Sequence, residues 1–336
     1  MSKLLTQKNG MLVALLVAVI FPLVIDNQYY LHVFSLAFIW TIAVYGLNLI
    51  GGFTGQLSLA HAGFFAIGAY SVGVLTVKVG INFWLALVLA CLITTFIGML
   101  IGLIALRTKE HFFAIYTLCV GYIIYLIIYK WEAVTEGVRG LIGIPTPAPI
   151  GPITFETPRS LYYLILFFLV LVIFLIRRII NSLTGRTYIA IRNSEELAQT
   201  IGIPTMRHKL VSFVLSTFFA GLGGALYAAF IRFLGPDISY INVTFDMLTY
   251  LLVGGIGTLS GPLIGTLLVV WVSQYLQFLQ DYRMLIFGPL LVILIIFYPR
   301  GIVGGFQMWS AKRKLKRAQK IIIDQQMKPL AVEEEK

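Results

Sequence analysis

The chain has 336 residues, 59% of them hydrophobic and 12% charged, with a mean hydropathy of +0.91. A soluble domain carries about 25% charged residues, so this composition excludes a large soluble core and specifies a polytopic membrane protein. The formal net charge of +11 would suit nucleic acid, but the basic residues collect at the ends of apolar runs, as the positive-inside rule requires, and no nucleic-acid partner is expected.

Lys3 and Lys8 precede an apolar run at residues 11–25. The run resembles a signal peptide, but no small-residue cleavage site follows; Pro22 and Asp26 come instead, and a retained first span is expected. A second span covers residues 31–50, about the 20 residues that a bilayer core requires. The stretch GGFTGQLSLAHAG at residues 51–63 then interrupts the apolar pattern with four glycines and with Thr54, Gln56, Ser58 and His61. Unwound backbone at membrane depth is tolerated only against protein or a water-filled cavity. A third span at residues 64–79 starts just after it, and a helix N-terminus attracts a carboxylate. Gly55, Gln56, Ser58 and His61 are therefore candidates for the substrate pathway. Ordinary helix packing through small and polar residues is the competing reading, and a residue count from the second span places the break near the cytoplasmic face.

A fourth span at residues 83–106 holds Gly98-xxx-Gly102, a spacing that permits close helix contact. Arg107 and Lys109 mark its end as internal. After a fifth span at residues 112–129 comes an external loop, residues 131–159, whose five prolines make it extended and non-helical in places. The loop is either a landing surface for an external partner or a plain connection. Cys91 and Cys119 lie within apolar runs and are expected to be buried and inert, with no disulfide framework.

A sixth span at residues 161–176 leads into the longest polar segment of the chain, residues 177–209, RRIINSLTGRTYIAIRNSEELAQTIGIPTMRHK. Its arginines and lysines mark it as cytoplasmic. Asn193 followed by Glu196 is a capping-box pattern, Glu195 and Glu196 suit the positive end of a helix, and Gly202 with Pro204 stops it. The prediction is a short helix over residues 194–201 with Leu197, Ala198 and Ile201 on one face. An apolar stripe on a short helix between two spans needs something to pack on, and a partner protein at the membrane surface would supply it.

A seventh span at residues 210–231 carries Gly221, Gly223 and Gly224 for close packing, and Arg232, Asp237 and Asp246 are expected outside. An eighth span near residues 247–253 runs into a second glycine break, GGIGTLSG at residues 254–261, which adds Gly254 and Gly255 to the pathway candidates. A ninth span follows at about residues 262–279 and a tenth at residues 284–298. The tail, residues 311–336, opens with a basic run suited to anionic lipid at the inner surface. The expected fold is thus all-α: about ten transmembrane helices with glycine-rich breaks, a short cytoplasmic helix and both termini inside, with residues 1–310 forming the membrane domain. The breaks GGFTGQLS and GGIGTLS look alike, as internal repeats in transporters do, although they do not fall at matching positions of two five-span halves.

The sequence contains no GxxxxGK[ST] phosphate loop, no HExxH or other metal-ligand spacing and no GxSxG nucleophile pattern. No catalytic residue, metal site or cofactor is expected in this chain. Ionisable residues inside the spans are few, and proton- or voltage-driven machines need them, so an external energy source is expected.

The segments at residues 48–70, 112–121, 185–203, 209–228, 253–265 and 282–304, together spanning nearly the whole chain, resemble the membrane-spanning permeases of branched-chain amino acid ABC importers. Such permeases carry a cytoplasmic Glu-Ala-Ala-xxx-Gly motif. Here the corresponding residues are Glu196, Leu197, Ala198 and Gly202, with Leu in place of the middle Ala. The resemblance implies coupling to the ATPase through Glu195, Glu196, Leu197, Ala198, Ile201 and Gly202. It also implies two separate ATPase subunits that bind ATP and Mg, a second homologous permease and an extracytoplasmic substrate-binding protein. The same resemblance covers permeases for urea and short amides. A stand-alone secondary transporter or channel, and a membrane scaffold that transports nothing, are the readings from other classes.

Overall fold

Two helices organise the bundle, because their own chain covers them. The computed structural model describes residues 15–24, 27–108, 110–152, 154–275 and 301–305. Helix α1 is Leu15–Val24. Helix α2, Gln28–Leu47, continues as a π-helical turn, Asn48–Phe53. Then come α3 (His61–Val77), α4 (Phe83–Ala105), α5 (Glu110–Lys130), the short α6 (Glu132–Thr135), α7 (Pro158–Asn181), α8 (Leu183–Asn193), α9 (Glu195–Thr200), α10 (Thr205–Ile231), α11 (Ile241–Gly254) and α12 (Gly261–Tyr275). Five of these, α2 with its π turn, α4, α5, α7 and α10, are long and apolar enough to cross a membrane; α1, α3, α11 and α12 are shorter apolar helices. The chain is an all-α membrane protein. The tenth expected span and the basic tail lie outside the described residues.

Over their most apolar stretches α2 is 83% buried and α10 67%, against 28–33% for α4, α5 and α7. Small residues make the centre possible. A side chain at Gly68 of α3 would overlap the carbonyl of Gly221 on α10, and one at Gly224 would overlap the carbonyl of Phe65. Backbones meet there because nothing stands between them. On the other flank of α10, Gly98 and Gly102 of α4 receive Thr217 and Phe213, the contact that their spacing predicts. Trp40, Phe65 and Tyr227 close the seam of α2, α3 and α10, with ring centroids 4.7–5.6 Å apart.

Two expectations change. Helix α11 starts at Ile241, so Asp246 lies within a helix and not beyond one. Cys91 is buried, but Cys119 is exposed on α5, because the apolar run around it faces away from the rest of the chain. The proline-rich loop after α5 is extended and non-helical in places, as expected. It holds α6, a 3-10 turn at Gly137–Arg139 and a two-residue strand, β1 (Leu141–Ile142), which pairs antiparallel with β2 (Phe233–Leu234).

That end of the bundle is tied by Lys78. Its Nζ lies 2.5 Å from Glu136 Oε1 and donates to the carbonyl of Ala133 at 2.8 Å. The lysine, as hydrogen-bond donor and as charge, holds the Glu136 carboxyl below the usual carboxylate range. A depressed carboxyl contributes stability above its unfolded value and loses it as pH falls through the folded one. On acidification into that window, the unfolding midpoint in detergent should therefore fall more steeply for the wild type than for Lys78→Met.

Candidate functional site

The polar chemistry of the chain gathers at the other end, where the glycine breaks stand together. Helix α2 does not end at Gly51, where the glycines begin. It widens into the π turn, with the N–H of Thr54 bonding the carbonyl of Leu49 at 3.2 Å, and only residues 54–60 are non-helical. A π turn adds a residue to the turn and leaves backbone groups out of register, a feature common at functional sites. The second break comprises residues 255–260, between α11 and α12. Both breaks leave backbone groups without helical partners, and those that are buried need a partner from the protein.

Side chains from four helices and the π turn supply those partners. Asn48 Nδ2 donates to the carbonyl of Thr258 and its Oδ1 accepts from the N–H of Gly257, both at 2.8 Å. Tyr45 of α2 donates its hydroxyl to the carbonyl of Leu259 at 2.8 Å. Thr117 of α5 accepts from the N–H of Leu59 in the first break at 3.0 Å, and Thr244 of α11 accepts from the N–H of Ala62, in the first turn of α3, at 3.1 Å. Arg192 at the end of α8 donates from Nη1 to the carbonyl of Gly52 at 2.5 Å. Two segments about 210 residues apart in sequence thus form one junction. Gly52 approaches the backbone N of Gly257 so closely that a methyl carbon there would come within 2.7 Å of it, and Gly301 packs onto Gly255.

The pathway candidates sit inside this junction or at its rim. Gln56, Ser58 and His61 are buried. The ring of His61 donates from Nε2 to the carbonyl of Ala43 at 2.8 Å, since a carbonyl can only accept. Ser58 Oγ is buried with no hydrogen-bond partner among the described residues. Gly55 is exposed and adopts φ +84°, a left-handed conformation suited to glycine, against the Cα and Cβ of Arg192. Gly254 and Gly255 are buried, with Gly254 against Gly261 and Gly265. Asn48, Tyr45 and Arg192 were not candidates from the sequence. An amide on an otherwise apolar helix was the available signal for Asn48, because buried polar groups need partners; Arg192 registered only as one charge among several.

The segment between α7 and α10 is two helices and not one. Ser194, with φ −162° and ψ 111°, is the extended residue between them, and its Oγ accepts from the N–H of Leu197 at 3.2 Å. Asn193 is the last residue of α8. The expected capping box with Glu196 therefore does not form, because a cap needs extended backbone and Asn193 is helical. At the far end Gly202, with φ +84°, closes α9. Its N–H bonds the carbonyl of Gln199 at 2.9 Å, and the N–H of Ile203 bonds that of Ala198 at 3.0 Å, the stop expected of glycine.

Helix α9 is bolted to α10. Glu195 Oε1 lies 2.6 Å from Nζ of the buried Lys209, and Gln199 donates to the hydroxyl of Thr205 at 3.1 Å. The predicted single stripe is divided. Ala198 is 2% exposed and faces the chain, whereas Leu197 and Ile201 are 64% and 69% exposed. One turn apart, those two form an apolar pair left uncovered by the described residues.

The match to the family described as branched-chain amino acid transport system / permease component covers residues 29–295, which include α9 and both breaks. The chain is 29% identical over 335 residues to the high-affinity branched-chain amino acid transport system permease protein LivM of Salmonella typhimurium, covering 93% of this chain and 78% of that one. It is 30% identical to LivM of Escherichia coli K12, covering 88% and 75%. To the permease protein LivH of Escherichia coli K12 it is 23% identical, covering 79% and 91%. No solved structure matches the chain. With one family match running through α9 and the paired breaks alike, this chain belongs to the permease components of branched-chain amino acid transport systems.

Proposed function

We propose that the chain is the membrane-spanning subunit of an ABC importer that carries branched-chain amino acids, with separate ATPase subunits hydrolysing ATP. The carrying observation is the family match through residues 29–295. Similarity to both LivM and LivH supports pairing with a second, homologous permease. An extracytoplasmic binding protein would deliver the substrate at the Lys78–Glu136 end.

In this reading about ten helices cross the membrane with both termini inside, and the end bearing α8, α9 and the breaks is cytoplasmic. Arg107, Arg177, Arg178, Arg186 and Arg207 all belong to the elements of that end, which is the positive-inside arrangement. The exposed pair Leu197 and Ile201 docks in a cleft of one ATPase. Closure of the ATPase dimer pulls α9, and α10 follows through Lys209 and Thr205. The route between the two permeases then alternates between outward and inward access, while the chain itself performs no covalent chemistry. The polar residues of the breaks, Ser58 among them, supply the hydrogen-bonding groups of that route.

Reconstitution in liposomes with the ATPases, second permease and binding protein tests the reading. ATP-dependent uptake of labelled leucine should be competed by isoleucine and valine and left unchanged by urea or short amides. Competition by urea or amides alone would reassign the substrate, and uptake by the chain without ATPases would remove the importer class.

A further inference from the structure

Arg192 joins three things that the sequence keeps apart. It is the penultimate residue of α8, three positions before α9 begins at Glu195. Its Nη1 donates to the carbonyl of Gly52 in the π turn that opens the first break. Its Cα, Cβ and Cγ lie against Gly55, so closely that a methyl carbon there would stand 3.1–3.4 Å from them. Its guanidinium also abuts Gly257 of the second break, where any side chain would overlap Nη1. Asn48 completes the junction by holding Gly257 and Thr258 from the same π turn.

We propose that Arg192 is a positioning residue that clasps the α8–α9 pair to both glycine breaks, so that a push on α9 moves the two breaks as one body. This rests on the reading of α9 as the ATPase-docking helix. The physical case is geometric. Glu195 and Gln199 tie α9 to α10, but those bonds do not reach a break. Arg192 does, through a charge-assisted hydrogen bond to the backbone carbonyl of the buried Gly52. Arginine suits the position because its fork of donors can bond the carbonyl of Gly52 while its Nη1 end packs against Gly257.

The test uses the complete reconstituted complex. Arg192→Gln should assemble with the ATPases and hydrolyse ATP at the basal rate, yet the amino acid taken up per ATP hydrolysed should fall roughly tenfold or more, the scale of one lost charged hydrogen bond. Arg192→Lys, which keeps charge and a donor, should recover part of that ratio. Wild-type coupling in Arg192→Gln would overturn the clasp. Spin labels on cysteines placed at Leu57 in the first break and Ile189 on α8, both 40% exposed, give a readout in a chain that keeps Arg192 and has the exposed Cys119 replaced by serine. Their separation should stay constant through the ATP cycle, whereas a change beyond about 2 Å, the size of interface helix shifts, would overturn it. A complex that lacks ATP-driven uptake altogether defeats the functional reading instead, and the label separation still reports on the clasp.

Discussion

Gly52→Ala should nearly abolish uptake, while Gly51→Ala should leave it close to normal. The two glycines are neighbours in one π turn, so propensity treats them alike. Their surroundings do not. A methyl at Gly51 has the carbonyl of Gln56 at 3.8 Å as its nearest contact, which is ordinary van der Waals distance. A methyl at Gly52 would overlap Asn48 Oδ1 and come within 2.7 Å of the backbone N of Gly257. Overpacking of this kind costs about 1–3 kcal/mol. Displacing Asn48 also leaves the N–H of Gly257 and the carbonyl of Thr258 without partners, at about 1–3 kcal/mol each. Such a sum rivals the roughly 5–15 kcal/mol that holds a typical domain together. Uptake measured at equal membrane content should fall to less than about a tenth in Gly52→Ala, since each 1.4 kcal/mol is a factor of about ten. Equal uptake in the two variants would mean that the paired breaks are not needed for transport.

The double substitution Leu197→Glu with Ile201→Glu should detach the ATPases while sparing the fold. Both side chains are more than half exposed and touch little of their own chain, so charge there costs the monomer almost nothing. In a docked cleft each would contribute about 1.5–3 kcal/mol through burial, and replacing both should weaken docking roughly a hundredfold or more. Co-purification of the ATPases in detergent reads this directly. Leu183→Glu on α8, which alters an apolar residue that is 77% exposed but off the docking helix, should leave the yield unchanged. ATPase recovery at wild-type levels in the double variant would place the docking surface elsewhere.

Much of this architecture was legible because apolar runs, glycine pairs and basic residues are local signals. The helices of the bundle, the Gly98–Gly102 contact and the Gly202 stop all follow from residues within a turn or two of one another. The likeness of the two breaks was visible too, but their contact was not. It depends on Asn48 reaching Gly257 and Thr258, and no periodicity reports a bond between residues so far apart. The cap of α9 was misplaced by one residue for a related reason. Asn193 and Ser194 are both good caps, and the choice fell to Ser194 because α8 runs through Asn193. Ala198 was assigned to the outer stripe because helical spacing shows which residues share a face, not which way that face turns.

The exposed thiol of Cys119 gives the natural chain a built-in sentinel. The chain has two cysteines, and the other, Cys91, is sealed within the bundle. A membrane-permeant maleimide should therefore label a single position without any engineering. If α5 borders lipid in the working complex, labelling will proceed at one rate whether or not the other subunits are present. If a neighbouring subunit lies over α5, assembly will shield the sulfur, and the loss of labelling will count the copies so covered.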